Sequence, residues 1–219
     1  MAMSMSEEQQ AWEQHYRERE RVWSGRVNVR LAEVARLLPP GRALDLGCGE
    51  GADALWLANR GWQVTAVDIS QIALDRAAAD ARAHNLADRI DFQRHDLPET
   101  FPDGTFELVS AQFLHSTAEL DRPRLLRRAA EAVAAGGTLV IVDHAGAPPW
   151  ASNLRHHHHE FPSAEEVVAS LHLDPSEWER RRVEAVEREA TGPDGQTAML
   201  TDNVIVLRRT DTSAEVTIL

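Results

Sequence analysis

The chain contains no lysine; all 23 of its basic side chains are arginine. Chemistry that needs a lysine amine, such as a pyridoxal Schiff base or a P-loop lysine on a phosphate, is therefore excluded. Cysteine is nearly absent too. Cys48 stands alone, so there is no intrachain disulfide and no multi-cysteine zinc site. A lone thiol is compatible with a reducing compartment, and the expected location is the cytoplasm. No apolar run approaches the ~18 residues of a membrane span. The segment Met1 to Glu8 lacks the basic start and apolar core of a secretion signal, so no membrane association is expected. Positive charge is scarce: 23 basic against 35 acidic residues leave a net charge of −12. A nucleic-acid surface needs a clustered positive field, and no nucleic-acid partner is expected.

What is present is strand–helix alternation over a length that suits one domain. Residues 8–21 and 27–38 read as two helices, interrupted at Trp23-Ser24-Gly25 and stopped by Pro39-Pro40-Gly41. Short apolar strands follow at 42–46, 63–68, 89–93, 106–110 and 138–143. Helices at 52–60, 71–85 and 122–135 lie between them, the last stopped by Gly136-Gly137. Residues 145–162 read as a loop. Ser163 and Glu166 form a capping-box pattern for a short helix. Segments 178–189 and 202–208 read as a closing hairpin around Pro193-Asp194-Gly195. The pattern predicts an α/β fold: a single-domain, Rossmann-like three-layer sandwich around a mostly parallel sheet with one antiparallel strand at or near an edge. Residues 1–38 are expected to form an N-terminal helical lid, with residues 39–219 as the domain proper.

Asp45-Leu-Gly47-Cys-Gly49-Glu-Gly51 follows the first strand and opens a helix, the position of ligand loops in open α/β sheets. The glycines are spaced G-x-G-x-G, whereas a dinucleotide fingerprint is G-x-G-x-x-G. A carboxylate at Asp45 repels a pyrophosphate and suits a cationic ligand. Asp68, ending the second strand, is placed to bind two ribose hydroxyls. Asp96, after the third, is placed to accept from the exocyclic amine of adenine. Adenosine carrying a positively charged amino-acid tail is S-adenosylmethionine. The bland alternatives are that Asp45 caps a helix, that Asp68 and Asp96 are loop carboxylates, and that Cys48 is a small loop residue with no activating partner.

From Leu44 to Val142 the chain resembles the class I S-adenosylmethionine-dependent methyltransferases. Asp45–Gly51 matches the family's first motif, Val67-Asp68-Ile69-Ser70 its second-strand acidic motif, and His95-Asp96-Leu97 the third-strand one. Gly136-Gly137-Thr138-Leu139 matches the entry to the fifth strand. The size, the segment from Trp23 to Asn28 and the turn at 192–196 are similar to the tellurite-resistance and thiopurine methyltransferase-like branch. The resemblance implies a seven-stranded sheet, six strands parallel and one antiparallel. It also implies cofactor contacts from Trp23, Asp45, Gly47, Cys48, Gly49, Gly51, Asp68, Ile69, Asp96, Leu97, Ala111 and Gln112.

On the acceptor side, His115 follows the fourth strand and His144 ends the fifth, and these two are the candidate catalytic bases. His156–His159 follows in the loop; it reads as a solvated stretch, a pocket wall, or a metal site helped by Glu160, and no metal is assigned. Trp12, Tyr16 and Trp23 are candidates for a lid, although Trp12 and Tyr16 at i, i+4 equally suit core packing. The expected activity is methyl transfer to a small-molecule acceptor, with oligomeric state left open. Non-methylating chemistry on the same cofactor, a non-catalytic adenosine-binding protein and a nicotinamide oxidoreductase are the alternatives. Ser110-Ala-Gln-Phe113 differs from the Asn/Asp-Pro-Pro-aromatic motif of enzymes that methylate exocyclic amines of bases.

Overall fold

The structure is a computed structural model that describes residues 5–97, 99–114, 121–150, 161–192 and 194–211. In chain order the elements are α1 (Glu7–Arg17), α2 (Val29–Ala35), β1 (Arg42–Leu46), α3 (Ala52–Asn59), β2 (Gln63–Asp68), α4 (Gln71–Ala83) and β3 (Ile90–Arg94). They continue with β4 (Phe106–Gln112), α5 (Arg122–Glu131), β5 (Val133–His144), α6 (Ala164–Ser170), β6 (Trp178–Thr191) and β7 (Thr197–Arg209). Side-chain caps start the helices where the sequence offers them. Ser6, Asn28, Ser70, Asp121 and Ser163 each accept from a backbone N–H in the first turn. The Ser163–Glu166 capping box is closed in both directions.

One seven-stranded sheet carries the fold, in the order β3-β2-β1-β4-β5-β7-β6. The first five strands are parallel, β7 runs antiparallel to β5, and β6 runs antiparallel to β7. The last strand of the chain is thus slotted between β5 and the edge strand β6. Apolar residues on both faces of these strands explain their short hydrophobic runs. Leu44, Leu46, Val109, Leu139, Ile141, Ile205 and Leu207 point to the face covered by α5 and α6. Ala43, Val64, Leu108, Val140, Val142, Val204 and Val206 point to the face covered by α2, α3 and α4.

Two sequence expectations shift. The helix expected over 122–135 ends at Glu131. The Ala132 carbonyl accepts from Phe106 N at 2.9 Å, and Val133 already pairs with Phe106, so β4 captures the chain a turn early. Gly136-Gly137 lies inside β5 rather than at a helix end. A Cβ on Gly137 would meet the Ala134 carbonyl at 2.9 Å and the Phe106 carbonyl at 3.0 Å, so this bend has room only for glycine. In the N-terminal region, Leu31 and Ala35 of α2 are buried in the core beside Leu57 and Trp62. Residues 5–28, with α1, lie over the carboxyl ends of the strands.

Because β7 sits inside the sheet, its inward residues are core residues despite their place near the end of the chain. Ile205 is fully buried and Met199 on the same strand is exposed. Urea unfolding of Ile205→Ala should show a loss of about 2–5 kcal/mol, whereas Met199→Ala should stay within ~0.5 kcal/mol of wild type.

Candidate functional site

A cavity of about 870 Å³ opens at the carboxyl ends of the parallel strands. Its walls take in the glycine loop, the ends of β1, β2 and β4, the segment from Val22 to Val29, and residues of β6 and β7. The expected residues Trp23, Asp45, Gly47, Cys48, Gly49, Asp68, Ile69, Asp96, Leu97, Gln112 and His144 all line it. Gly51 and Ala111 do not. Ala111 is fully buried among the core residues of β4, and a Cβ on Gly51 would lie 2.7 Å from the Ala77 methyl of α4. Gly51 therefore serves helix packing, also at a φ of 82° that favours glycine. His115 and His156–His159 lie outside the described residues.

Four backbone N–H groups of the loop are bonded within the protein. Gly47 N and Cys48 N both donate to the Val67 carbonyl at 2.9 Å, Gly49 N donates to Asp68 Oδ2 at 2.9 Å, and Gly51 N donates to the Cys48 carbonyl at 2.9 Å. Those four groups are not available to cradle a pyrophosphate, in contrast to the free N–H groups of an anion-binding loop. The cavity instead supplies acceptors. Asp45 Oδ2 and Gln112 Oε1 are buried and have no hydrogen-bond partner among the described residues. Unpaired buried acceptors of this kind are costly, and a ligand that brings N–H donors and positive charge satisfies them. Asp68 holds Gly49 N with one oxygen and Ser70 N with the other, so its carboxylate is fixed at the end of β2 with lone pairs left for two hydroxyls. These residues fit S-adenosylmethionine: acceptors for its ammonium, a fixed carboxylate for its ribose, and Asp96 for its adenine.

Three carboxyls crowd this end of the sheet. Burial, with Asp53 and Asp68 nearby, drives Asp45 well above the usual carboxylate range. Burial also raises Asp68 against the opposing pull of its backbone donors, and it pushes Asp53 up to about 6. The Cys48 thiol is likewise held protonated by burial and by the Asp68 charge, so it is no nucleophile.

The covering segment is tied down by other carboxylates. Glu13 of α1 is buried and accepts from Ser70 Oγ and from Gln71 N at 2.7 Å, so it caps α4 from a second helix. Glu50 accepts from Val22 N and Trp23 N, each at 3.0 Å, and pairs with Arg76 at 2.9 Å. Arg76 in turn donates to the Tyr16 and Arg19 carbonyls. Asp53 accepts from Asn28 N at 2.6 Å, and Ser6 donates to Asp96 at 2.8 Å. Trp23 Nε1 donates to the Tyr16 hydroxyl at 2.9 Å over the glycine loop. Sequence reasoning did not single out Glu13, Asp53, Phe113, Arg188 or Asp202. Acidic residues are abundant in this chain, and only the fold shows which ones turn inward.

The raised Asp53 carboxyl has a definite sign. Its folded value of about 6 lies above its ordinary value of 3.8, so folding favours the neutral form. Stability from this group is complete below about 3.8 and is lost as pH climbs through about 6. Asp53→Asn, which cannot ionise, should be more stable than wild type in ligand-free urea unfolding at neutral pH. That advantage should shrink as pH falls towards 4. An advantage that is constant with pH would contradict the assignment.

A family model described as a methyltransferase domain matches residues 43–137, from β1 into β5. The chain is 35% identical over 121 residues to 27-O-demethylrifamycin SV methyltransferase of Amycolatopsis mediterranei (strain S699), covering 54% of this chain and 44% of that protein. It is 30% identical over 153 residues to thiocyanate methyltransferase 1 of Arabidopsis thaliana, covering 65% of this chain and 67% of that protein. It thus spans under half the length of the first relative and two thirds of the second. The fold matches a solved structure from work on the conversion of a disulfide bond into a thioacetal group during echinomycin biosynthesis. That match has a TM-score of 0.71 and 25% identity over 95% of both chains. The plant relative, the family model and the acceptor-lined cavity agree: the chain belongs to the class I S-adenosylmethionine-dependent methyltransferases, and its cofactor is S-adenosylmethionine.

Proposed function

We propose that the protein transfers a methyl group from S-adenosylmethionine to a small-molecule acceptor. The observation that carries this reading is a single cavity that runs from Asp68 and the glycine loop to Phe113, His144 and Arg188. The cofactor supplies an electrophilic methyl group on a sulfonium, and the chain supplies alignment. Asp68 takes the ribose hydroxyls, Asp96 the adenine, and Asp45 with Gln112 the ammonium. Trp12, together with Tyr16 and Trp23, which the Arg76 and Glu50 contacts hold over the loop, forms a lid that excludes water from the transfer. His144 stands on the far wall as the general base for the acceptor.

A small-molecule acceptor fits the net charge of −12 better than a nucleic acid does. The names of the two relatives, a 27-O-demethylrifamycin SV methyltransferase and a thiocyanate methyltransferase, support the class and leave the atom open. A nicotinamide reading is disfavoured because the N–H groups of Gly47, Cys48, Gly49 and Gly51 are already bonded within the protein.

Calorimetry tests the cofactor side. Asp68→Ala should weaken binding of S-adenosylmethionine by about 1.5–3 kcal/mol, the scale of hydrogen bonds to a charged group. Equal affinity in wild type and variant would remove Asp68 from the ribose. Nicotinamide dinucleotides should show no heat, and a micromolar dissociation constant for either would overturn the reading.

A further inference from the structure

The end of the chain brings a second set of side chains to the acceptor wall. The β5–β7 register places Asp202 directly across from His144. Asp202 is 1% exposed, and one of its oxygens lies 3.3 Å from His144 Nδ1. Arg188 of β6 donates to the other oxygen through Nε and reaches the first through a terminal nitrogen at 3.4 Å. Phe113, at a left-handed φ of 49°, stacks on the His144 ring at 4.4 Å between centroids. The Arg188 guanidinium lies 5.7 Å from the Phe113 ring centre. All four residues line the same cavity as the glycine loop. Among the described residues, Asp143 of β5, paired with Arg122 of α5, also acts on His144 through its charge.

Burying a carboxylate this deeply is costly unless it is well paired. Burial works to raise Asp202, yet hydrogen bonds from His144 and Arg188, with the Arg188 charge, hold it below the usual carboxylate range. An ionised carboxylate only accepts, so the histidine nitrogen that faces it must carry the hydrogen. In the neutral imidazole the other nitrogen, Nε2, is then the basic one. Stacking on Phe113 fixes the ring plane, so both tautomer and orientation are set by residues far apart in sequence.

We propose that Asp202 is a positioning residue for His144, holding it as the Nδ1–H tautomer so that Nε2 takes a proton from the acceptor, and that the acceptor is therefore protic, with simple phenols as its probe. The proposal rests on the methyltransferase reading above. In the step, the acceptor O–H bond breaks and its proton moves to Nε2. The oxygen electron pair forms the bond to the methyl carbon, and the pair of the broken carbon–sulfur bond stays on sulfur. Asp202 stabilises the imidazolium until it loses the proton to water. An aprotic anion such as thiocyanate has no proton to give up and makes no use of this pair.

Two measurements on the full chain test this. Long-range ¹⁵N–¹H spectra, with His144 assigned by comparison with His144→Gln, should show the Nδ1–H tautomer in wild type and its loss in Asp202→Asn. An Nε2–H tautomer in wild type, or an unchanged tautomer in Asp202→Asn, would overturn the proposal, and the wild-type spectrum decides even if the variant fails to fold. Methyl transfer to a panel of simple phenols should fall roughly 10²–10⁴-fold in Asp202→Asn. Transfer to potassium thiocyanate and affinity for S-adenosylmethionine should hold within about threefold. Equal losses on phenols and thiocyanate would reduce Asp202 to a structural residue, and wild-type turnover of thiocyanate without any phenol would overturn the acceptor class. Absence of cofactor binding by wild type in calorimetry would instead sink the methyltransferase reading, a separate failure from that of the tautomer.

Discussion

Three carboxyls, Asp45, Asp53 and Asp68, meet at the carboxyl edge of a parallel sheet, and their repulsion and desolvation are the constraint around which this site is organised. Gathering them costs free energy in the empty chain, which is why burial lifts all three. The structure offsets part of that cost with backbone donors: Gly49 and Ser70 on Asp68, Asn28 on Asp53. It leaves Asp45 Oδ2 without any. In the proposed reading, the ammonium of the cofactor relieves the remainder.

The same carboxylate chemistry holds the cover in place. Glu13, Glu50 and Asp53 each accept backbone N–H groups across the boundary between residues 5–28 and the sheet domain. Glu50 also engages Arg76, so one buried ion pair joins the loop, α4 and the chain entering α2. Removing one partner from such a pair strands a charge, at about 3–5 kcal/mol. The position of Tyr16 and Trp23 over the glycine loop therefore depends on these acidic groups.

At the opposite end of the cavity, the antiparallel insertion of β7 has a chemical consequence. A parallel strand there would reverse the order of its side chains along β5. As built, the β5–β7 ladder runs from Thr138 opposite Arg208 to His144 opposite Asp202. The β6–β7 hairpin then adds Arg188 from the edge. The sheet's one reversed strand is thus the device that carries a carboxylate to a histidine 58 positions earlier in the chain.

Much of this protein is legible from sequence because its signals are local. Strand and helix order follows from short apolar runs, caps and stops, and the glycine loop with Asp45, Asp68 and Asp96 is contiguous with strand ends, which open α/β sheets always present on one side. The absence of lysine and the acidic balance excluded whole chemistries without any coordinates. Tertiary structure decided the rest. Gly136-Gly137 looks like a helix stop until β4 is seen to capture Ala132 and Val133 first. Gly51 looks like part of the ligand loop until Ala77 is found against it. Asp202 and Arg188 look like solvated charges in a hairpin, and only the β5–β7 and β6–β7 registers turn them inward. The physical reason is the same in each case. A local pattern fixes the conformation of its own residues, whereas burial and partnership depend on which distant strand arrives beside them.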